Sequence, residues 1–283
     1  MSLPRPSARK DDDPFRRDVG GCTAREVQLI EASRWSTDGD VVAVGAGATF
    51  AVAAFAQRTH APYASFLIDS GIVDPVFDAA PVSVCDPDLR RALRMTSMTD
   101  VFFGLLQGGR VDVGLLGAAQ VGPAGELNSS YATYADGGRR RLPGAGGATA
   151  IAAFVRRVVA IVAHERRRFP ARCDFVSSPG FLAADGAPGD GAARPEETVV
   201  VTDLCVLRGS TKSGRLRVER LMPGVSFADV AASTEFDLGP AREVEPIALP
   251  TAAELRLLRE TVDPRGLYVR ARRGPSSTSR SDT

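Results

Sequence analysis

Residues 41–71 read VVAVGAGATFAVAAFAQRTHAPYASFLIDSG, and the order of parts within them decides the fold. Val41–Val44 is a short β-branched apolar run, Gly45-Ala46-Gly47 a turn, Thr49–Gln57 a helical stretch of small residues, Ala64–Ile68 a second apolar run, and Asp69-Ser70-Gly71 its stop. Strands that are apolar throughout, rather than alternating, are covered on both faces, and a helix between two of them makes a parallel crossover unit. The same alternation continues outward. Upstream, Arg25–Ser33 has helical spacing and enters Val41 through the turn Asp38-Gly39-Asp40. Downstream, a helix over Asp100–Gln107 feeds a strand at Val111–Leu116, and residues from Thr149 to Phe154 lead toward a strand at Val158–Ala163. A strand at Val199–Thr202, a hairpin VLRGSTKSGRLRVERL over 206–221 and a helix at Ala252–Thr261 complete the pattern. Short strands alternating with helices predict the α/β class, a mostly parallel sheet with helices on its faces.

Composition narrows the function. The chain has 283 residues, 44% hydrophobic and 24% charged, with 35 basic against 34 acidic side chains. That is the make-up of a protein with a sizeable buried core. A net charge of +1 without a basic stripe argues against nucleic acid as a partner. No apolar run approaches the ~20 residues of a membrane span, and the charged, proline-bearing N-terminus has no signal-peptide core. Cys22, Cys85, Cys173 and Cys205 are scattered and form no metal or redox motif, and they are read as reduced cytoplasmic thiols. Residues 1–20 and 273–283 are polar and turn-rich, so they are expected to be tails flanking one domain over 21–272. The Gly/Pro/Ala-rich stretch 179–198 is the best internal linker candidate.

Four segments carry candidate chemistry. Gly45-Ala46-Gly47 at a helix start, with an acid about 20 residues on, has the outline of a dinucleotide site. Phe50 stands where that fingerprint needs its third glycine. The match is incomplete, and the turn has two other readings: it serves topology alone, or it supplies amides to an oxyanion. Asp69-Ser70-Gly71 ends a parallel strand, the edge where α/β sheets place ligands, so Asp69 is a candidate nucleophile or base; an ordinary turn is the alternative, for it and for Asp74 beside Pro75. Gln120 and Asn128, in a Gly/Pro-rich loop after a strand, could orient a carbonyl or carboxylate. Pro143-Gly144-Ala145-Gly146-Gly147-Ala148 could cradle an anion such as a phosphate. His60 and His164 lack neighbouring triad partners in sequence and read as surface or packed residues. Arg166-Arg167-Arg168 could meet phosphates, but reads better as a solvated helix end, and Trp35 as core or interface.

The order of LLQGGRVDVGLLGAAQVGPAGELNSS, RLPGAGGATAIAAFVRRVVAIVAHERRRFPARCDFVSSPGF, VVVTDLCVLR, MPGVSFADVAASTEFDL and LPTAAELRLLRETVDP resembles the β subunit of family I CoA-transferases, the group typified by the β subunit of glutaconate CoA-transferase. The likeness runs over residues 22 to 270. It implies an open three-layer α/β/α fold, a separate α-subunit partner in a heterodimer or heterotetramer, and an active site at their junction. It also implies coenzyme A as substrate, with an acyl-CoA and a carboxylic acid, and no permanently bound cofactor or metal. In the family a glutamate followed by Ser-Gly or Asn-Gly attacks the thioester and becomes acylated; the matching place here is Asp69-Ser70-Gly71. The resemblance thus assigns catalysis to Asp69, Ser70 and Gly71, oxyanion and substrate contacts to Gly45, Ala46, Gly47, Gln120 and Asn128, and CoA contacts to Gly144, Gly146 and Gly147. Aspartate is one methylene shorter than the family's glutamate. A branch of the same superfamily that lacks the glutamate hydrolyses carbon–carbon bonds in cyclic ketone CoA thioesters, and LPTAAELRLLRETVDP resembles that branch too. Hydrolysis is the alternative activity, and a subunit without catalytic residues the third.

Overall fold

The computed structural model describes residues 17–134, 136–182 and 193–269. Residues 1–16 and 273–283 of the expected tails lie outside these, as do residues 183–192 of the 179–198 linker candidate. Residues 17–20 are placed: Arg17 donates to the Asp203 carbonyl at 2.8 Å and Val19 is buried.

The first helix, α1 (Ala24–Ser33), starts where Thr23 and Glu26 cap one another. The Thr23 hydroxyl accepts from the Glu26 amide at 3.2 Å while the Glu26 carboxylate accepts from the Thr23 amide at 2.8 Å, which satisfies two otherwise orphaned donors. The 41–71 stretch folds as read: β1 (Val41–Val44), α2 (Ala48–Arg58) and β2 (Ser65–Ile68), with β1 and β2 parallel. Phe50, the residue that breaks the dinucleotide fingerprint, is fully buried with Phe55 on α2. Each such aromatic contributes about 1.5–3 kcal/mol by leaving water.

Two strands without a clear sequence signal follow at once, β3 (Ile72–Pro75), antiparallel to β2, and β4 (Ala92–Met95), antiparallel to β3. The segment Asp100–Leu106, expected as an α-helix, is wound wider, with the Gln107 amide donating five residues back to Phe102 at 3.0 Å. Then come β5 (Val113–Gly117) and two small hairpins, β6 (Gln120–Val121) with β7 (Leu127–Asn128) and β8 (Tyr131–Thr133) with β9 (Arg139–Arg141). The chain returns through α3 (Ala148–Phe154), β10 (Arg157–Ile161), β11 (Glu197–Val201) and the predicted hairpin β12 (Cys205–Ser210) and β13 (Arg217–Leu221). Two short helices close it, α4 (Phe227–Ala232) and α5 (Ala252–Leu257), the latter widening into a π-helical turn over Leu258–Val262.

Among the described residues nine strands form one sheet in the order β13-β12-β11-β10-β5-β1-β2-β3-β4. The five central strands are parallel and the outer pairs antiparallel. Helices α1 and α2 pack on one another and on the central strands, and α3 sits on β5. Gly114 of β5 permits that last contact, since a Cβ there would stand 2.6 Å from Ile151 Cγ2. The result is the mostly parallel α/β architecture expected. No helix among the described residues is long and apolar enough to cross a membrane.

Candidate active site

From β1 the chain steps to β2 on one side, and later enters β5 and β10 on the other. Strand order therefore reverses between β1 and β5, and the loops leaving their carboxyl ends diverge to open a crevice. A cavity of about 550 Å³ lies there. Gly45 and Ala46 leave β1 into it, Gly117 and Ala118 leave β5, Asp69 follows β2, and the loop from Leu142 to Ala148 forms the opposite wall.

Asp69 is half-buried, and its Oδ1 is buried without a hydrogen-bond partner. Burial pushes its carboxyl above the usual range, opposed by a hydrogen bond from the Ser70 amide. Ser70 donates its hydroxyl to the Val84 carbonyl at 2.7 Å and so ties the turn to the 82–86 loop, whose Val84 lines the cavity. Gly71 has φ +102°, a region that L side chains avoid, and an added Cβ would overlap the Thr96 carbonyl oxygen. The Asp-Ser-Gly sequence thus fixes where the carboxylate stands. The opposite wall comes close to it: a Cβ on Gly147 would lie 2.9 Å from Asp69 Oδ2 and 2.9 Å from Phe102 Cζ.

The glycine turn divides its work. Gly45 donates its own amide to the Leu115 carbonyl at 2.9 Å, so that N–H is spent on the sheet. Gly47 caps the eleven-residue helix α2 without a side chain; the Phe50 amide donates back to the Gly47 carbonyl at 3.1 Å, which leaves the amides of Ala48 and Thr49 with no helical carbonyl to meet. Those amides, with the helix dipole behind them, favour negative charge at this end.

Gln120 and Asn128 are not brought to this cavity. Asn128 is fully buried; its amide group donates to Gln120 Oε1 at 2.7 Å and to the Tyr131 carbonyl, and its oxygen accepts from the Ser130 amide at 3.0 Å. The Gln120 amide in turn donates to Asp174 at 2.8 Å, and its oxygen accepts from the Asp174 amide at 3.1 Å. The pair locks the hairpin of β6 and β7 to the 173–175 segment, although Gln120 does reach the lining of a neighbouring cavity of about 370 Å³.

His164 is buried, stacked on Phe169 at 4.1 Å, with its ring nitrogens against the Thr202 and Thr234 hydroxyls. Burial lowers its pKa to about 3, so it is neutral and packed. His60 is exposed, with Nε2 2.9 Å from the Ser33 carbonyl. Two contributors carry no signal of their role in the sequence. Phe102 flanks Asp69 and is legible only as part of a helix. Arg168, expected at a solvated helix end, lines the cavity that holds Asp69. Among the described residues no group of His, Cys, Asp and Glu is placed to hold a metal ion.

A parallel sheet that gathers a carboxylate, a glycine-capped helix and a glycine-rich loop at the reversal of strand order defines an α/β protein with a ligand-sized cavity at its switch point. Comparison with known proteins agrees with that class and narrows it. The coenzyme A transferase family pattern matches residues 30–233. The B-type subunit of 3-oxoadipate CoA-transferase from Pseudomonas knackmussii is 32% identical over 244 residues, 84% of this chain and 92% of that one. The corresponding subunit of glutaconate CoA-transferase from Acidaminococcus fermentans is 30% identical over 264 residues, 89% of this chain and 97% of that one. The solved structure of that organism's glutaconate CoA-transferase superposes with a TM-score of 0.77 at 28% identity, covering 90% of this chain and all of that one. A shorter match, 33% identity over 108 residues (38% of this chain, 42% of the other), reaches a cholesterol ring-cleaving hydrolase IpdB subunit of Mycobacterium tuberculosis. The chain belongs to the coenzyme A transferase family.

Proposed function

We propose that this chain is the B-type subunit of a two-subunit CoA-transferase and that Asp69 is its nucleophile. The observation that carries the reading is the Asp69 carboxylate itself, half-buried with an unpartnered oxygen at the strand-order reversal of a CoA-transferase family member. The carboxylate attacks the carbonyl of an acyl-CoA thioester and expels CoA thiolate, leaving an acyl-aspartyl anhydride. The thiolate then attacks the aspartyl carbonyl, releasing the first carboxylic acid and leaving an aspartyl-CoA thioester. An acceptor carboxylate reverses these two steps and departs as the new acyl-CoA, and Asp69 is regenerated. Amides of the first turn of α2, after Gly47, serve the oxyanion at each addition. The 144–147 loop confines the reacting groups opposite Asp69, and Gly144, Gly146 and Gly147 leave room there for the pantetheine end of CoA.

The free edge of the sheet supports a partner. Strand β4 ends the sheet and exposes Leu93 and Met95, with Met98 and Phe103 exposed beyond it. An apolar edge of this kind is a surface that a second chain covers. Phe102, beside Phe103, approaches Gly147 on the cavity wall, so a partner seated on this edge adjoins the cavity mouth. Action on CoA thioesters makes the cytoplasm the compartment that fits this reading.

The test is intact mass of the chain, co-purified with its partner, after incubation with acyl-CoAs and a hydroxylamine or borohydride trap. An adduct on Asp69, absent from Asp69→Asn, is the expected result. Turnover without any adduct overturns the reading. Hydrolysis is the second reading, favoured by the burial that biases Asp69 toward its protonated form and suits it to proton transfer. Heavy-oxygen water separates the two, because only hydrolysis leaves solvent oxygen in the product in a single turnover.

A further inference from the structure

Asp69 and Arg168 are the charged side chains on the described lining of the reversal cavity, whose remaining walls are glycine, apolar residues and Ser129. Arg168 also lines the neighbouring cavity with Arg167, so it stands at the boundary of the two. Its charge is incompletely matched. Arg166 pairs with Glu235 at 3.1 Å, while Glu165 is shared between Arg167 at 2.5 Å and Arg168 at 3.3 Å. Three guanidinium groups thus meet two carboxylates. Arg168 holds the weaker share: its Nε faces Glu165 Oε1 at 3.3 Å, and its two terminal nitrogens have no protein partner among the described residues. A planar cation with spare parallel donors, beside a cavity that holds a single carboxylate, is built for one more carboxylate.

We propose that Arg168 determines acyl specificity by binding the distal carboxylate of a dicarboxylic acid, while the proximal carboxyl, as thioester or acceptor, meets Asp69. The inference rests on the transferase reading for the chemistry at Asp69. Its recognition step, an ion pair at the far end of the acyl group, is measurable without turnover. The other anion available is a phosphate of CoA, which every substrate shares and which therefore cannot discriminate among acids.

The experiment uses the complex with its partner, one CoA donor, and two length-matched acceptor series, succinate, glutarate and adipate against butyrate, valerate and hexanoate. Binding of the free acids is followed by calorimetry in parallel. Wild type is expected to favour one dicarboxylate over its length-matched monocarboxylate at least tenfold in kcat/KM. Arg168→Gln should collapse that ratio at least tenfold through KM, and Arg168→Lys should restore part of it. Equal losses for both series, or an unchanged ratio in Arg168→Gln, overturns the proposal; equal loss assigns Arg168 to CoA phosphate or to the fold, which a thermal melt separates. Calorimetric preference for the dicarboxylate in an enzyme that forms no Asp69 adduct would sink the transferase reading and leave this one standing.

Discussion

Gly147→Ala tests the closest approach in the site. The backbone at Gly147 is right-handed helical, φ −72° and ψ −12°, so alanine adopts it without strain. The added methyl, however, lies 2.9 Å from both Asp69 Oδ2 and Phe102 Cζ, against about 3.4 Å for ordinary contact. Because the two contacts are equally short, movement of the Phe102 ring alone does not relieve the overlap, and the carboxylate must retreat by about 0.5 Å. A 1 Å displacement of a reacting group costs on the order of 100-fold, so half of it costs about tenfold, or ~1.4 kcal/mol of barrier. Stability should change little, since the gain of about 0.4–1 kcal/mol from replacing glycine at a compatible position offsets the local crowding. The assay is steady-state transfer by the complex, with single-turnover formation of the Asp69 adduct as the direct readout and a thermal melt as control. A variant with kcat within twofold of wild type and an unshifted melt would refute the reasoning, because the added methyl would then not displace Asp69.

Gly71→Ala should destabilise by roughly 2–4 kcal/mol, from a left-handed φ of +102° and overlap with the Thr96 carbonyl, and is read by denaturant titration. Arg220→Ala should cost about 1–3 kcal/mol, measured the same way: Glu31 is fully buried and would keep only Arg34 at 3.1 Å after losing Arg220 at 2.6 Å. For Asp69 burial favours the neutral carboxyl, so its penalty on folding is absent below the ordinary carboxylate range, grows as pH rises toward the raised native value, and is complete above it. Asp69→Asn should therefore gain stability over wild type as pH rises out of the ordinary carboxylate range, while losing transfer; a difference flat in pH would count against the burial argument.

How much is legible in the sequence depends on the range of the interaction. The crossover unit of residues 41–71 is readable because its apolar runs and glycine turn are local signals, and Gly45, Ala46 and Asp69 follow from where such strands end. Strands β3 and β4 are not, because IVDP and ALRM lack apolar alternation; β3 is fixed by pairing with β2, and β4 by pairing with β3. Gln120 and Asn128 look like ligand groups because an amide in a glycine loop has no local partner, and Asp174, 54 residues beyond Gln120, supplies one. Arg168 misleads in the opposite sense. A run of three arginines reads as solvated, and only the fold shows one of them turned into the cavity.

The same geometry bears on the proposal that Asp69 is the nucleophile. On the reading that Asp69 becomes acylated, the substitution of aspartate for glutamate removes one methylene of reach, and a carboxylate that cannot extend needs its partner brought to it. The wall opposite is made of residues with little or no side chain, Gly144, Ala145, Gly146 and Gly147, and a Cβ on Gly147 would already stand 2.9 Å from Asp69 Oδ2. Meanwhile Ser70 bonded to Val84, and Gly71 pressed on Thr96, hold the turn from behind. The position of the carboxylate is thus set by its neighbours on both sides rather than by side-chain length. Asp69→Glu then becomes the sharper probe: if the site is built around the shorter arm, the family's own residue pushes its carboxyl into the Gly147 wall and transfer falls. A gain in kcat for Asp69→Glu would show the opposite, a site that kept the longer residue's dimensions.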